Sequence, residues 1–127
     1  LDSTFVIDLL KGDPAAQAKS AKFRADGFCA SVITKFEVLA GVYSSKEGIE
    51  KQEAESFDFF ASIESAPLLD KSIMHGARIA GRLNKSGQQV QATDILIAAS
   101  LLDSGCRQIL TRDKGFGSIA EIAVISY

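Results

Sequence analysis

Four acidic side chains, each in a different segment of this 127-residue chain, could act together in catalysis: Asp2, Glu37, Asp94 and Asp113. No histidine or cysteine stands close to them in sequence, and oxygen ligands alone suit Mg²⁺ or Mn²⁺ better than zinc. Two carboxylates about 4 Å apart repel by roughly 4 kcal/mol at an effective dielectric near 20, so such a cluster needs a cation. A bound divalent ion can activate water and stabilise a leaving oxygen, which predicts phosphodiester hydrolysis.

Asp94 has the most unusual surroundings of the four. The segment after it, Ile95–Leu102, is apolar on nearly every side and therefore predicts a buried helix. An ionised carboxylate at the N-terminal end of that helix is favoured by its dipole and free N–H groups. The simpler alternative is that Thr93 or Asp94 only caps the helix.

The other three acids also have simple structural alternatives. Glu37 shares a helical face with Thr34, Ala40 and Gly41, whose small side chains leave room around it, but it could equally be an ordinary exposed glutamate. Asp2 and Asp113 could be turn or cap residues. Only the four acids taken together indicate a site.

The elements that would position these acids alternate along the chain. Predicted helices cover residues 15–24, 34–43, 46–61, 70–85 and 93–104, with Asp70 as the cap of the fourth helix. Predicted strands cover residues 28–31, 63–69, 108–110 and 122–125, and Leu1-Asp2 resembles the end of another strand. This order predicts an α/β fold with a central parallel sheet of four to five short strands, in which functional groups gather at the carboxyl edge.

Composition places the chain among ordinary globular domains. Its hydrophobic fraction is 46% and its net charge is −2, so any nucleic-acid binding would need a local basic stripe or a bound metal. We expect one domain over residues 1–127, preceded by a few missing native residues. Cys29 and Cys106 lie in apolar segments and are expected to be free thiols in the cytoplasm, with a disulfide as the alternative.

Four segments of the sequence resemble a known family in the same order and spacing. They are Leu1-Asp2-Ser3-Thr4 followed by Ile7-Asp8-Leu9-Leu10-Lys11-Gly12, then Ser31-Val32-Ile33-Thr34-Lys35-Phe36-Glu37, then Asp94-Ile95-Leu96-Ile97-Ala98-Ala99, and finally Leu110-Thr111-Arg112-Asp113-Lys114-Gly115-Phe116. With these segments the chain resembles PIN domains, and most of all the VapC-type toxins of prokaryotic toxin–antitoxin pairs.

The resemblance implies a three-layer α/β/α fold and a Mg²⁺- or Mn²⁺-dependent endoribonuclease. The four acids fall on the family's acidic positions and would hold the metal, while Ser3, Ser31, Thr34 and Thr111 would hold carboxylates and waters in place. The implied partners are RNA, a cognate antitoxin protein whose C-terminal segment crosses the active-site groove, and a second copy in a homodimer.

One position departs from the family pattern. Relatives often carry another acid two residues after the position of Asp113, where this chain has Gly115. Without that acid, the sequence does not decide between one metal ion and two. It also keeps an alternative, an RNA- or protein-binding module that has lost catalysis. A phosphorylation receiver domain fits less well. Receiver domains carry a pair of acids after the first strand and a lysine after the last, and this sequence has neither.

Basic and aromatic residues offer further binding surfaces. Arg112 and Lys114 flank Asp113 and are candidate RNA contacts. A helical arc gives two more candidates, Arg78 and Arg82, and the full arc consists of Lys71, His75, Arg78, Arg82 and Lys85. The arc is either a solvated face or a guide for an RNA backbone. The aromatic group Phe57, Phe59 and Phe60 is expected in the core, with a partner surface as the alternative.

Overall fold

The computed structural model describes residues 1–127 and contains helices and short strands in alternation. The α-helices are α1 (Ser3–Leu10), α2 (Pro14–Phe23), α3 (Val32–Tyr43), α4 (Ile49–Ala61), α5 (Asp70–Lys85) and α6 (Ala92–Asp103). The strands are β1 (Cys29–Ser31), β2 (Glu64–Ala66), β3 (Gln108–Leu110) and β4 (Ala123–Ile125). Two 3-10 turns cover Arg24–Asp26 and Lys114–Ser118.

The strands form two parallel pairs, β1 with β2 and β3 with β4. The first residues of the chain lie between the pairs. The backbone nitrogen of Leu1 donates to the oxygen of Cys29 at 2.6 Å, and that of Asp2 donates to the oxygen of Leu110 at 3.3 Å. These bonds place Asp2 beside the end of β3, but the predicted single sheet of four to five strands is not confirmed.

Helices cover both faces of the strands, as the predicted three-layer α/β/α fold requires. Consecutive residues of β3 point into different cores: Ile109 belongs to a core with α5 and α6, and Leu110 to one with α1, α2 and α3. This division follows from the alternation of side chains along a strand. The predicted α/β class is confirmed.

The helix that carries Asp94 is the most buried helix of the fold. Eight of the twelve residues of α6 are buried, in agreement with its apolar sequence. It packs most extensively against α5. A Cβ atom on Gly76 of α5 would lie 3.2 Å from Leu96 Cδ2 and 3.6 Å from Ala99 Cβ, so this glycine permits the close approach of the two helices.

Several predicted boundaries needed correction. The expected cap Asp70 is instead the first residue of α5, and Leu69 takes the cap position, where its N–H donates to Ser72 Oγ at 3.3 Å. The strand expected over residues 63–69 ends at Ala66, since Pro67 has no N–H for strand pairing. Helix α3 begins two residues before the predicted Thr34 because Ser31 caps it.

Aromatic and sulfur side chains have mixed environments. Phe59 and Phe60 pack against the core of α1, α2 and α3, whereas Phe57 is 44% exposed. Cys29 and Cys106 are both free. Burial and the neighbouring Cys106 thiol raise the pKa of Cys29 to about 12, so residues distant in sequence are adjacent in the fold. None of the helices combines the length and the apolar character that crossing a membrane would take.

Candidate active site

The carboxylate of Asp2 is buried and held by two hydroxyl groups. Asp2 is 2% exposed and directly precedes α1. Its Oδ2 atom accepts hydrogen bonds from Thr4 Oγ1 and Thr111 Oγ1, each at 2.7 Å. Because both bonds use the same oxygen, Oδ1 has only a distant contact, with Ser3 Oγ at 3.5 Å.

The loop after β3 joins Asp113 to the same network. Thr111 Oγ1 accepts from the N–H of Asp113 at 2.8 Å while it donates to Asp2. Asp113 Oδ1 in turn accepts from the N–H of Gly115 at 2.7 Å. A continuous chain of hydrogen bonds therefore runs from Asp2 through Thr111 to Asp113, whose side chain is exposed.

Asp94 connects the remaining acids electrostatically. It is the third residue of α6 and is 8% exposed. Burial raises its pKa to about 6, with further contributions from the negative charges of Asp113, Asp2 and Glu37. No side chain caps α6, so the capping alternative does not describe Asp94. The structure thus brings all four predicted acids into one electrostatic environment.

Glu37 lies in the middle of α3 and is half-buried. Its neighbours Ala40 and Gly41, one turn later, are exposed, so its side chain is not covered from that direction. The charge of Glu37 is the weakest of the three carboxylate contributions that raise the pKa of Asp94. Glu37 is therefore a partly exposed member of the acidic group.

The hydroxyl residues divide into two groups. Thr111 contacts the carboxylate of Asp2 as predicted, whereas Ser31 and Thr34 hold the backbone instead. Ser31 Oγ accepts from the N–H of Ile33 at 3.2 Å and from Ser100 Oγ at 2.8 Å. Thr34 Oγ1 donates to the oxygen of Leu1 at 3.2 Å. These two residues thus fix α3 and the segment before Asp2.

Thr4 is the contact that the sequence analysis missed. Its hydroxyl donates to Asp2 as closely as that of Thr111 does. The available signal was its position two residues after an acid at a helix start, where threonine side chains commonly form local hydrogen bonds.

Residues 1–122 match the sequence model of the PIN domain. The chain belongs to the PIN domain family. A curated relative, ribonuclease VapC19 from Mycobacterium tuberculosis, is 32% identical over 104 residues, which cover 80% of this chain and 78% of the relative.

Solved structures with the same fold come from toxin–antitoxin complexes. VapBC from Salmonella typhimurium, bound to DNA, gives a TM-score of 0.86 at 23% identity and covers 98% of this chain and 94% of that one. VapBC2 from Rickettsia felis, bound to a promoter DNA fragment, gives a TM-score of 0.85 at 18% identity and covers 99% of this chain and 96% of that one. At these identities the likeness establishes the fold.

The acids of this PIN domain have the donor chemistry of a divalent-ion site. All four offer oxygen ligands, and the pKa of Asp94 is raised first by burial and then by the charges of the other three carboxylates, which a bound cation would offset. As the side chains stand, no three acidic, histidine or cysteine residues form a ready ligand group. The residues therefore fit a hard cation by donor type, and binding one would require their side chains to come closer together.

Gly115 lies directly beside two of the acids. A Cβ atom on this residue would be 3.1 Å from Asp113 Oδ1 and 3.3 Å from Asp94 Oδ2. The backbone of Gly115 therefore borders the space beside these two carboxylates.

The predicted RNA-contacting cations differ in their surroundings. Lys114 and Arg78 are exposed and form no ion pair. Arg82 instead pairs through two nitrogens with Glu121, and Arg112 pairs with two acids outside the acidic group. His75 faces α6, where its Nδ1 lies 3.0 Å from Asp103 Oδ1. The predicted basic arc is thus partly neutralised.

We predict that Asp94→Asn stabilises the metal-free protein at neutral pH. The pKa of Asp94 is about 6 in the folded protein, against an ordinary value of 3.8. The unfolded chain therefore loses this proton first, and the free energy of unfolding falls as the pH rises from about 4 to about 6. The gain above pH 6 should be roughly 1–2 kcal/mol, because water screens the open side of the site.

Urea unfolding in EDTA at pH 4 and pH 7.5 measures this effect. The control is Asp26→Asn, a change of the same type in the exposed 3-10 turn before β1. It should show no such pH dependence. Equal destabilisation by Asp94→Asn at both pH values would contradict the prediction.

A second prediction concerns the space beside Gly115. In Gly115→Ala the new methyl group would press on the carboxylates of Asp94 and Asp113 and weaken Mn²⁺ binding about 10-fold or more. Isothermal titration calorimetry measures the affinity. The matched control is Gly117→Ala in the same 3-10 turn, where a Cβ atom meets nothing within 4 Å. Identical Mn²⁺ affinities in the two variants would contradict the prediction.

Proposed function

We propose that this PIN domain is a Mg²⁺- or Mn²⁺-dependent endoribonuclease that acts as the toxin of a type II toxin–antitoxin pair. The observation that carries the proposal is the buried carboxyl of Asp94, whose pKa is raised to about 6 by burial and by three further acids from separate elements. A fold gains no stability from such a group, since the negative charges oppose one another and those of Asp2 and Asp94 are also buried. A catalytic cation explains why it is present.

The proposed ligands are Asp2, Glu37, Asp94 and Asp113. PIN-domain ribonucleases generally use divalent metal ions. When bound, such an ion supplies charge that neutralises a scissile phosphate and lowers the pKa of water. In Asp2 the Oδ2 atom accepts hydrogen bonds from Thr4 and Thr111, which leaves Oδ1 as the atom that would bind the metal. Asp113 is oriented in a similar way, by the N–H of Gly115 on its Oδ1.

The substrate assignment rests on two supports. The curated relative VapC19 is described as a ribonuclease and aligns over most of this chain. The exposed cations Lys114 and Arg78 carry no ion pair and are free to meet a phosphate backbone. Lys114 directly follows Asp113 in sequence, so it is the cation that we place nearest the scissile phosphate.

The decisive measurement is cleavage of single-stranded RNA. We expect cleavage with Mg²⁺ or Mn²⁺, loss by a factor of about 100 or more in Asp94→Asn, and full loss in EDTA. Asp26→Asn should cleave like the wild type. Cleavage that survives Asp94→Asn, or that resists EDTA, would contradict a metal-dependent mechanism at this site. RNA binding without cleavage at any metal concentration would favour the binding-module alternative.

The toxin role requires a separate observation. Solved structures with this fold are described as VapBC toxin–antitoxin complexes, and we extend that arrangement to this chain. We expect a short gene directly upstream whose protein product binds this chain and abolishes RNA cleavage. Expression of the wild type alone should arrest growth, and Asp94→Asn should not. Cleavage in vitro without growth arrest, or an upstream product that leaves cleavage unchanged, would reject the toxin assignment.

A further inference from the structure

The side chain of Arg112 pairs with two acids from other segments of the chain and not with its neighbour Asp113. Its Nη1 atom lies 3.1 Å from Asp8 Oδ2 in α1, and its Nη2 atom lies 3.1 Å from Asp13 Oδ1. Asp13 also caps α2 by accepting from the N–H of Ala16 at 2.9 Å. One guanidinium group therefore ties the loop after β3 to two helices.

Tyr127 completes this cluster from the segment after β4. The guanidinium carbon of Arg112 lies 4.4 Å from the centre of the Tyr127 ring, within cation–π range. The Tyr127 hydroxyl donates to Asp8 Oδ2 at 2.7 Å, and its ring meets buried Phe5 edge-on with centroids 4.9 Å apart. The cluster is thus anchored in the core of α1, α2 and α3.

The two neighbours of Arg112 face the opposite direction, towards the acidic group. Thr111 donates to Asp2 and accepts from the N–H of Asp113. Since residues 111 and 113 flank the anchored residue 112, the position of the Arg112 backbone constrains both of them. The carboxylates of Asp2 and Asp113 depend on this loop for their relative placement.

We propose that Arg112 is a positioning residue, which holds the 111–115 loop against α1 and α2 so that Thr111 and Asp113 keep their places beside Asp2. The proposal rests on the ribonuclease function for its catalytic consequence, but not for its structural one. Two carboxylates already compensate the charge of Arg112. The planar, forked guanidinium group of arginine can bind two carboxylates through different nitrogens, whereas the ammonium group of lysine is a single point charge.

The charge state of Asp13 agrees with this arrangement. The N–H of Ala16, and after it the Arg112 guanidinium, hold the pKa of Asp13 below its usual range. Asp13 is therefore ionised throughout the pH range in which the enzyme would be assayed, and the ion pair with Arg112 persists across it.

The kinetic test compares Arg112→Ala with Arg112→Lys. We expect Arg112→Ala to lower kcat for single-stranded RNA about 10-fold or more while KM changes less than about twofold, as for residues that orient metal ligands. Arg112→Lys should recover part of the loss. Arg107→Ala removes the same side chain at the other end of β3 and should match the wild type.

A double-mutant cycle separates positioning from RNA contact. With Asp8→Asn and Asp13→Asn already present, Arg112→Ala should lower kcat by no more than about threefold, since its partners are weakened. The asparagine at position 13 retains an oxygen for the α2 cap. An unchanged kcat with a raised KM in Arg112→Ala, additive with the aspartate changes, would overturn the proposal and make Arg112 an RNA contact.

Hydrogen exchange tests the same inference without any cleavage. The amides of Asp113 and Gly115 should exchange about 10-fold faster or more in Arg112→Ala, and at the wild-type rate in Arg107→Ala. Unchanged exchange at both amides in Arg112→Ala would overturn the positioning role. If the wild type cleaves no RNA, the proposed function fails, and the exchange rates still decide the role of Arg112.

Discussion

Mutual repulsion among Asp2, Glu37, Asp94 and Asp113 is the constraint around which this fold is organised. Left free, such side chains would turn outwards into water or take up protons. The structure holds two of these acids firmly in place. Asp94 is fixed by a helix buried on nearly all sides, and Asp2 by two threonine hydroxyls. The pKa of Asp94 is raised mainly by its burial, and the charges of the other three acids raise it further.

The supports extend well beyond the groups that touch the acids. Close packing of α5 on α6 through Gly76 covers Ile95 and Leu96, the two residues that follow Asp94. On the other face, Phe5 and Tyr127 anchor the cluster of Arg112, Asp8 and Asp13. The two cores on opposite sides of the strands therefore hold different acids, and the site lies where they meet.

Sequence alone predicted the class of fold because it depends on local pattern, and the same patterns made Asp2, Glu37, Asp94 and Asp113 candidate site residues. The apolar residues after Asp94 predicted a buried helix. The end of β2 before Pro67 was not predicted. Pairings between distant residues left no such signal. The partners of Arg112 are 99 and 104 residues away in the chain. These pairs could not be predicted from sequence, whereas the position next to Asp113 makes Arg112 a candidate RNA contact. The capping roles of Ser31 and Leu69 depend on exact helix starts, which propensity does not resolve.

The hydrogen bond from Thr111 to Asp2 spans 109 positions of the chain. A fragment that stops before Thr111 keeps Asp2 but lacks this hydrogen-bond donor. Contacts between residues so distant in sequence form only after the chain between them has been brought together. The acidic group is therefore a property of the whole fold and not of any one segment.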